Sequence, residues 1–115
     1  MRPGVIAAKP IEEGANMKIA FMVCNEVVSP RVMKLLDTAS IDYYTRWEHV
    51  KGKGHGTDPH LDTRSFPGTN AVYMIAFENE ATLSLLVQEI NDANKSIPRP
   101  DDHIRLFQVP LERIV

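Results

Sequence analysis

Between Lys18 and Cys24 the chain reads Lys-Ile-Ala-Phe-Met-Val-Cys, apolar at every position after the first. A strand with one face in water alternates apolar and polar residues, so this run predicts a central strand covered on both sides. Asn70 to Phe77, Asn-Ala-Val-Tyr-Met-Ile-Ala-Phe, has the same character. Tyr43 to Val50 differs, with Arg46, Glu48 and His49 among its aromatic and β-branched residues. That mixture predicts an edge strand. Ile104 to Val109, stopped by Pro110, predicts a fourth strand. Helical spacing fills the gaps. Val28, Val32, Leu35, Leu36 and Ala39 share one face of a helix, with Ser29 expected as its N-cap and Pro30 as its first residue. Leu83, Leu86, Val87 and Ile90 form the inner stripe of a second helix, opened by Glu78 and Asn79. Glu80 and Lys95 stand where its dipole favours them. Pro98 and Pro100 make Ser96 to Asp102 a non-helical linker.

The element order is βαββαβ, which predicts an α+β, ferredoxin-like domain: a four-stranded antiparallel sheet with two helices on one face and a long loop between strands 2 and 3. The first and third strands are then central, as their apolarity requires. Helices cover only one face, however, and both central strands are apolar on both. Either Ile19, Phe21 and Val23 or Ala20, Met22 and Cys24 would lie on the uncovered face, an apolar patch that a homo-oligomer would bury. Residues 1–16 carry Pro3, Gly4, Pro10 and Gly14 without sustained periodicity, and Met17 opens the first convincing strand. The expected division is an N-terminal extension or tag over 1–16, flexible, and one folded domain over 17–115.

The loop between the second and third strands is the chemically dense stretch. Residues 50–69 contain Gly52, Gly54, Gly56 and Gly68, with Pro59 and Pro67, and only Leu61 and Phe66 are strongly apolar after Val50. A connection this long is uncommon inside a small domain unless it serves a function or is disordered. Its polar residues are Lys51, Lys53, His55, Asp58, His60, Asp62 and Arg64. The remaining composition narrows the classes. A net charge of −2 without a long basic tract argues against nucleic-acid binding. A single cysteine, Cys24, permits no internal disulfide and fits a reducing compartment. No apolar run approaches the roughly 20 residues that cross a bilayer, so no direct membrane insertion is expected and a cytoplasmic location is.

Three stretches carry a resemblance to a known family. Glu48-His49-Val50-Lys51-Gly52-Lys53-Gly54 resembles the end of the second strand and the glycine turn that opens the T-loop of the nitrogen regulatory PII signalling proteins and their PII-like relatives. Ala71 to Ile90 resembles their third strand and second helix, and Phe107-Gln108-Val109-Pro110-Leu111-Glu112 their fourth strand with its Val-Pro-acidic ending. The resemblance covers nearly all of 17–115 and implies a compact homotrimer. Its clefts between subunits would bind a small-molecule effector near the glycine turn, and its long loops would control a partner protein such as a transporter or enzyme. Three features depart from the family. Residues 52–69 hold no tyrosine for uridylylation, the basic turn after the second helix is replaced by Ser96 to Asp102, and the basic tail is cut short at Glu112 to Val115. Loss of these basic groups weighs against ATP or ADP as ligand. CutA-like trimers, associated with divalent metals, are a second relative.

Two sets of candidate site residues follow. Lys51, Gly52, Lys53, Gly54 and Arg64 are the candidate ligand-binding set: backbone donors and cations that would wrap an anion. A glycine hinge at the loop root is an equally simple account of Gly52 and Gly54. His55, Asp58 and His60, with Asp62 and His49 nearby, are the candidate set for a divalent metal. Their spacing matches no established metal motif, and a solvated turn begun by Asp58-Pro59 explains them as well. No catalytic residue is assigned: His103 beside Asp101 and Asp102 lies in the proline linker, and no serine stands in a nucleophile elbow. The favoured expectation is a regulatory binding module and not an enzyme; the alternative is a metal-homeostasis protein.

Overall fold

The computed structural model describes residues 17–115, and the expectation for the extension over 1–16 lies outside the described residues. The elements are β1 (Lys18–Asn25), α1 (Ser29–Thr38), β2 (Thr45–Val50), β3 (Asn70–Phe77), α2 (Glu80–Lys95) and β4 (Arg105–Pro110). The sheet order is β2–β3–β1–β4, with every pairing antiparallel. The ferredoxin-like α+β order is therefore observed, with β1 and β3 central and β2 and β4 at the edges. Among the described residues, no helix is long and apolar enough to cross a membrane.

Register sorts the side chains onto two unequal faces. Ala20, Met22 and Cys24 of β1 join Ala71, Tyr73, Ile75 and Phe77 of β3 beneath the helices, and none is more than 2% exposed. Val32 and Leu36 of α1 and Leu83, Leu86 and Ile90 of α2 close this core. The other face has no helix. There Ile19 pairs with Ala76 and Val109, and Phe21 with Met74 and Phe107. Val23 pairs with Val72, which in turn faces Trp47. At the edges of this face Trp47 is 45% and Phe107 54% exposed. The uncovered set is thus the one that includes Ile19, Phe21 and Val23.

Helix entry departs from the sequence expectation. Ser29 is not the N-cap, because the chain begins turning earlier, in a 3₁₀ turn over Glu26–Val28. Asn25 caps that turn by accepting from the Val27 amide at 3.2 Å. The Ser29 hydroxyl is committed instead to the Tyr73 hydroxyl across the core. Pro30 still falls in the first helical turn, where its missing N–H costs nothing. In α2, expected to open at Glu78 and Asn79, Asn79 is the N-cap, its side chain accepting from the Thr82 amide at 3.1 Å. At the far end Asn94 bonds both the carbonyl and the amide of Ile104, at 2.9 and 2.8 Å, and so fixes where β4 begins. Between them the proline linker makes a 3₁₀ turn over Pro100–Asp102, which reaches the end of the sheet where the long loop starts.

Candidate functional site

The long loop leaves and rejoins the sheet through two unusual residues. Before it, β2 carries a bulge between Trp47 and Val50, within which His49 adopts a φ of 60°. A non-glycine residue rarely holds the left-handed region without compensation. After it, Thr69 is the buried polar residue of the described chain, 8% exposed. One carboxylate serves both. Glu26 accepts the His49 amide at 2.5 Å and the Thr69 hydroxyl at 2.7 Å, while its own amide donates to the Thr69 carbonyl at 2.9 Å. The His49 imidazole lies 3.2 Å from the same carboxylate. The Thr69 hydroxyl first, then the His49 amide, hold the Glu26 carboxyl below the ordinary glutamate range. Sequence reading missed Glu26; a single acid after a strand gives no periodic signal.

Beyond this root the loop is folded on itself. Gly52 and His60 form an isolated antiparallel bridge, with N–H···O distances of 2.9 and 2.7 Å. The Leu61 and Thr63 amides donate to the Phe66 carbonyl, and the Asp62 amide to that of Gly68, whose φ of 94° suits glycine. Gly52 is required by close approach: a Cβ there would sit 2.6 Å from the Asn70 side-chain nitrogen. That side chain is not free to retreat, since its oxygen meets His60 Nδ1 at 2.8 Å. The loop also rests on the linker after α2. The Asp58 amide donates to Asp101 at 3.3 Å, and Arg99 lies 3.1 Å from Asp101 and 3.9 Å from Asp58. Arg99 is the main reason the Asp101 carboxyl titrates below its usual value. Asn25 completes the attachment by donating to Asp102 at 3.1 Å.

Loop, linker and the ends of β1, β3 and β4 enclose an open cleft of about 440 Å³. Lys51, Gly52, Lys53 and Gly54 all line it, so four of the five candidate ligand residues meet there. Arg64 does not; it stands exposed in the turn between Leu61 and Phe66. The expected anion wrap is also altered, because the Gly52 amide is already spent on His60. Cationic character comes instead from side chains: Lys51, Lys53 and Arg105 line the cleft without an ion pair to any described residue. Asp58 and Asp101 supply a negative rim, restrained by Arg99. Arg105, which was not among the candidates, enters because β4 starts at the cleft.

His55, Asp58 and His60 line the same cleft. Among the described residues no three His, Cys, Asp or Glu side chains converge in a way that could hold a metal ion. His103 directs Nε2 to the Ile97 carbonyl at 2.9 Å. Burial, then the Glu26 charge, push the Cys24 thiol up to about 12, which keeps it a protonated wall residue at neutral pH.

No family model matches the sequence. No curated protein matches it either. Solved structures do. CPII from Thiomonas intermedia K12, bound to ADP and bicarbonate, superposes with a TM-score of 0.61 at 14% identity, over 84% of this chain and 89% of that one. CPII with ADP, AMP and bicarbonate, described as a nitrogen regulatory PII-like protein, gives 0.60 at 16% identity over the same shares. A protein from Thermus thermophilus, described as PII-like signaling, gives 0.54 at 13% identity, over 81% of this chain and 84% of that one. Identity this low carries the architecture and no more: the chain has the fold of the PII-like proteins.

Proposed function

We propose that the chain is a PII-like regulatory protein, a homotrimer that takes a small anionic effector in the cleft beside Lys51–Gly54 and controls a partner protein through residues 52–69. The observation that carries this reading is the cleft itself. Three cations without ion partners among the described residues, Lys51, Lys53 and Arg105, line it at the root of a long loop that forms the cleft's other wall. An anion bound there touches the loop directly, so its affinity must differ between loop arrangements, which is the physical requirement for a switch. The similar CPII structures hold ADP and bicarbonate, which makes these the first effectors to test. Bicarbonate suits the cleft better than a polyphosphate, because Asp58 and Asp101 at the rim repel extended negative charge. Trimer formation would cover the helix-free sheet face, whose apolar row adjoins the cleft through Val23 and Phe107. A binding module fits better than an enzyme: the thiol is held protonated and the His103 imidazole is spent on a carbonyl.

Calorimetry with bicarbonate, ADP, AMP and 2-oxoglutarate tests the reading. At least one should bind, and Lys51→Ala/Lys53→Ala should weaken it about tenfold or more, the worth of a lost charge-assisted contact. Silence across the whole set would remove the effector from the proposal.

A further inference from the structure

We infer that Glu26 is the positioning residue of the effector cleft, an inference that rests on the ligand reading above but concerns a side chain outside the cleft. Glu26 is absent from the cleft's lining, so it can act only through what it holds. It holds both ends of the loop: His49 at the entry and Thr69 at the exit, twenty positions apart in sequence, meet on one carboxylate. Each contact settles a neighbour that does line the cleft. His49 precedes Val50 and Lys51, and its left-handed backbone sets the direction in which the Lys51–Gly54 turn departs. Thr69 precedes Asn70, whose side chain keeps Gly52 and His60 in register.

Residue type matters at this position. Glu26 sits in the 3₁₀ turn just past β1, close enough to the sheet for its own amide to bond the Thr69 carbonyl. A carboxylate supplies two acceptors there without presenting a donor to the donors it faces. An amide of the same shape keeps a single acceptor, so its NH2 faces either the His49 amide, itself a donor, or the Thr69 hydroxyl, which must then turn to accept. Alanine would leave the largely buried Thr69 hydroxyl without its acceptor. Farther out, Arg99 holds Asp101 of the linker at 3.1 Å but reaches the loop itself only at the exposed Asp58, 3.9 Å away, a weak surface pair. The loop is therefore held at its base by Glu26 and, through Asn70, at Gly52 and His60, so an effector can shift the segments between these anchors while the base stays in place.

The experiment compares wild type, Glu26→Gln, Glu26→Ala and His49→Gly by residue-resolved amide exchange without ligand, and by calorimetry with bicarbonate and ADP. Both Glu26 variants should raise exchange at residues 49–53 and 69–70 by about tenfold or more, with the central strands' protection unchanged. Glu26→Gln should also weaken effector binding about tenfold by the same argument. His49→Gly, which keeps the backbone donor and relieves the left-handed strain, should retain most of the affinity. Unchanged exchange at the root in both Glu26 variants would overturn the clamp, and a loosened root with wild-type affinity would overturn its positioning role. Absence of binding in the wild type would instead overturn the effector reading and leave the exchange arm to decide the clamp.

Discussion

The two faces of the sheet are built from similar residues and have opposite fates. Beneath the helices, Met22, Tyr73, Ile75 and Phe77 are all but sealed from water. On the other side, Phe21, Met74, Phe107 and Val109 shield one another only in part, with Val109 49% exposed. Composition does not separate these faces; the helices do. Apolar area buried within the subunit holds the fold, while apolar area left open is available to a second subunit. The first face belongs to stability and the second is the one the proposed trimer would cover, so substitutions should separate them.

The largest effect is expected on the covered face. Phe77→Ala removes a ring at 0% exposure from the core, and should cost about 3–5 kcal/mol in denaturant unfolding of the domain. Phe107→Asp, by contrast, should leave the subunit's unfolding within about 1 kcal/mol of wild type, as an exposed substitution does. Its effect should appear in light scattering, as loss of the proposed trimer. An intact trimer in Phe107→Asp, or a collapse of subunit stability as large as that of Phe77→Ala, would mean that the open face is not the one that associates.

A smaller effect probes the polar link inside the covered face. Tyr73 is fully buried, and its hydroxyl meets Ser29 at the start of α1. Tyr73→Phe should therefore cost about 1 kcal/mol, the net worth of one buried hydrogen bond, without altering assembly. The same contact explains what could and could not be read from the chain. Strand and helix patterns follow from residues close in sequence, and that is why β3 falls at Asn70–Phe77, where the unbroken apolar run predicts a central strand. Ser29 looks like a cap because its local context is that of a cap. Its actual partner lies 44 residues away, and no local pattern encodes that pairing. The cleft behaves alike: Lys51 to Gly54 are legible as a glycine-rooted turn, whereas Arg105 and Glu26 join the site only through sheet pairing and a turn against Thr69. Arg64, picked out by charge alone, stands outside it.

The smallest effect belongs to the end of the sheet, where the loop root depends on neither face. Glu26 titrates below the ordinary glutamate value of 4.5 because the Thr69 hydroxyl and the His49 amide donate to its charged form. A carboxylate depressed in the folded protein adds stability that is fully present above its unfolded value and is lost as pH falls through its folded one. The clamp should accordingly be complete at neutral pH and let go only in acid below the usual carboxylate range. An NMR titration of the His49 and Thr69 amides should show both moving together along one curve whose midpoint lies below 4.5. Glu26→Gln should abolish that curve. Central-strand amides such as Ile75 should stay flat over the same range, since no titrating group of the root lies against them. If the strand amides moved with the root, the clamp would be part of the global unfolding unit, and the loop could not shift without loosening the sheet that carries it.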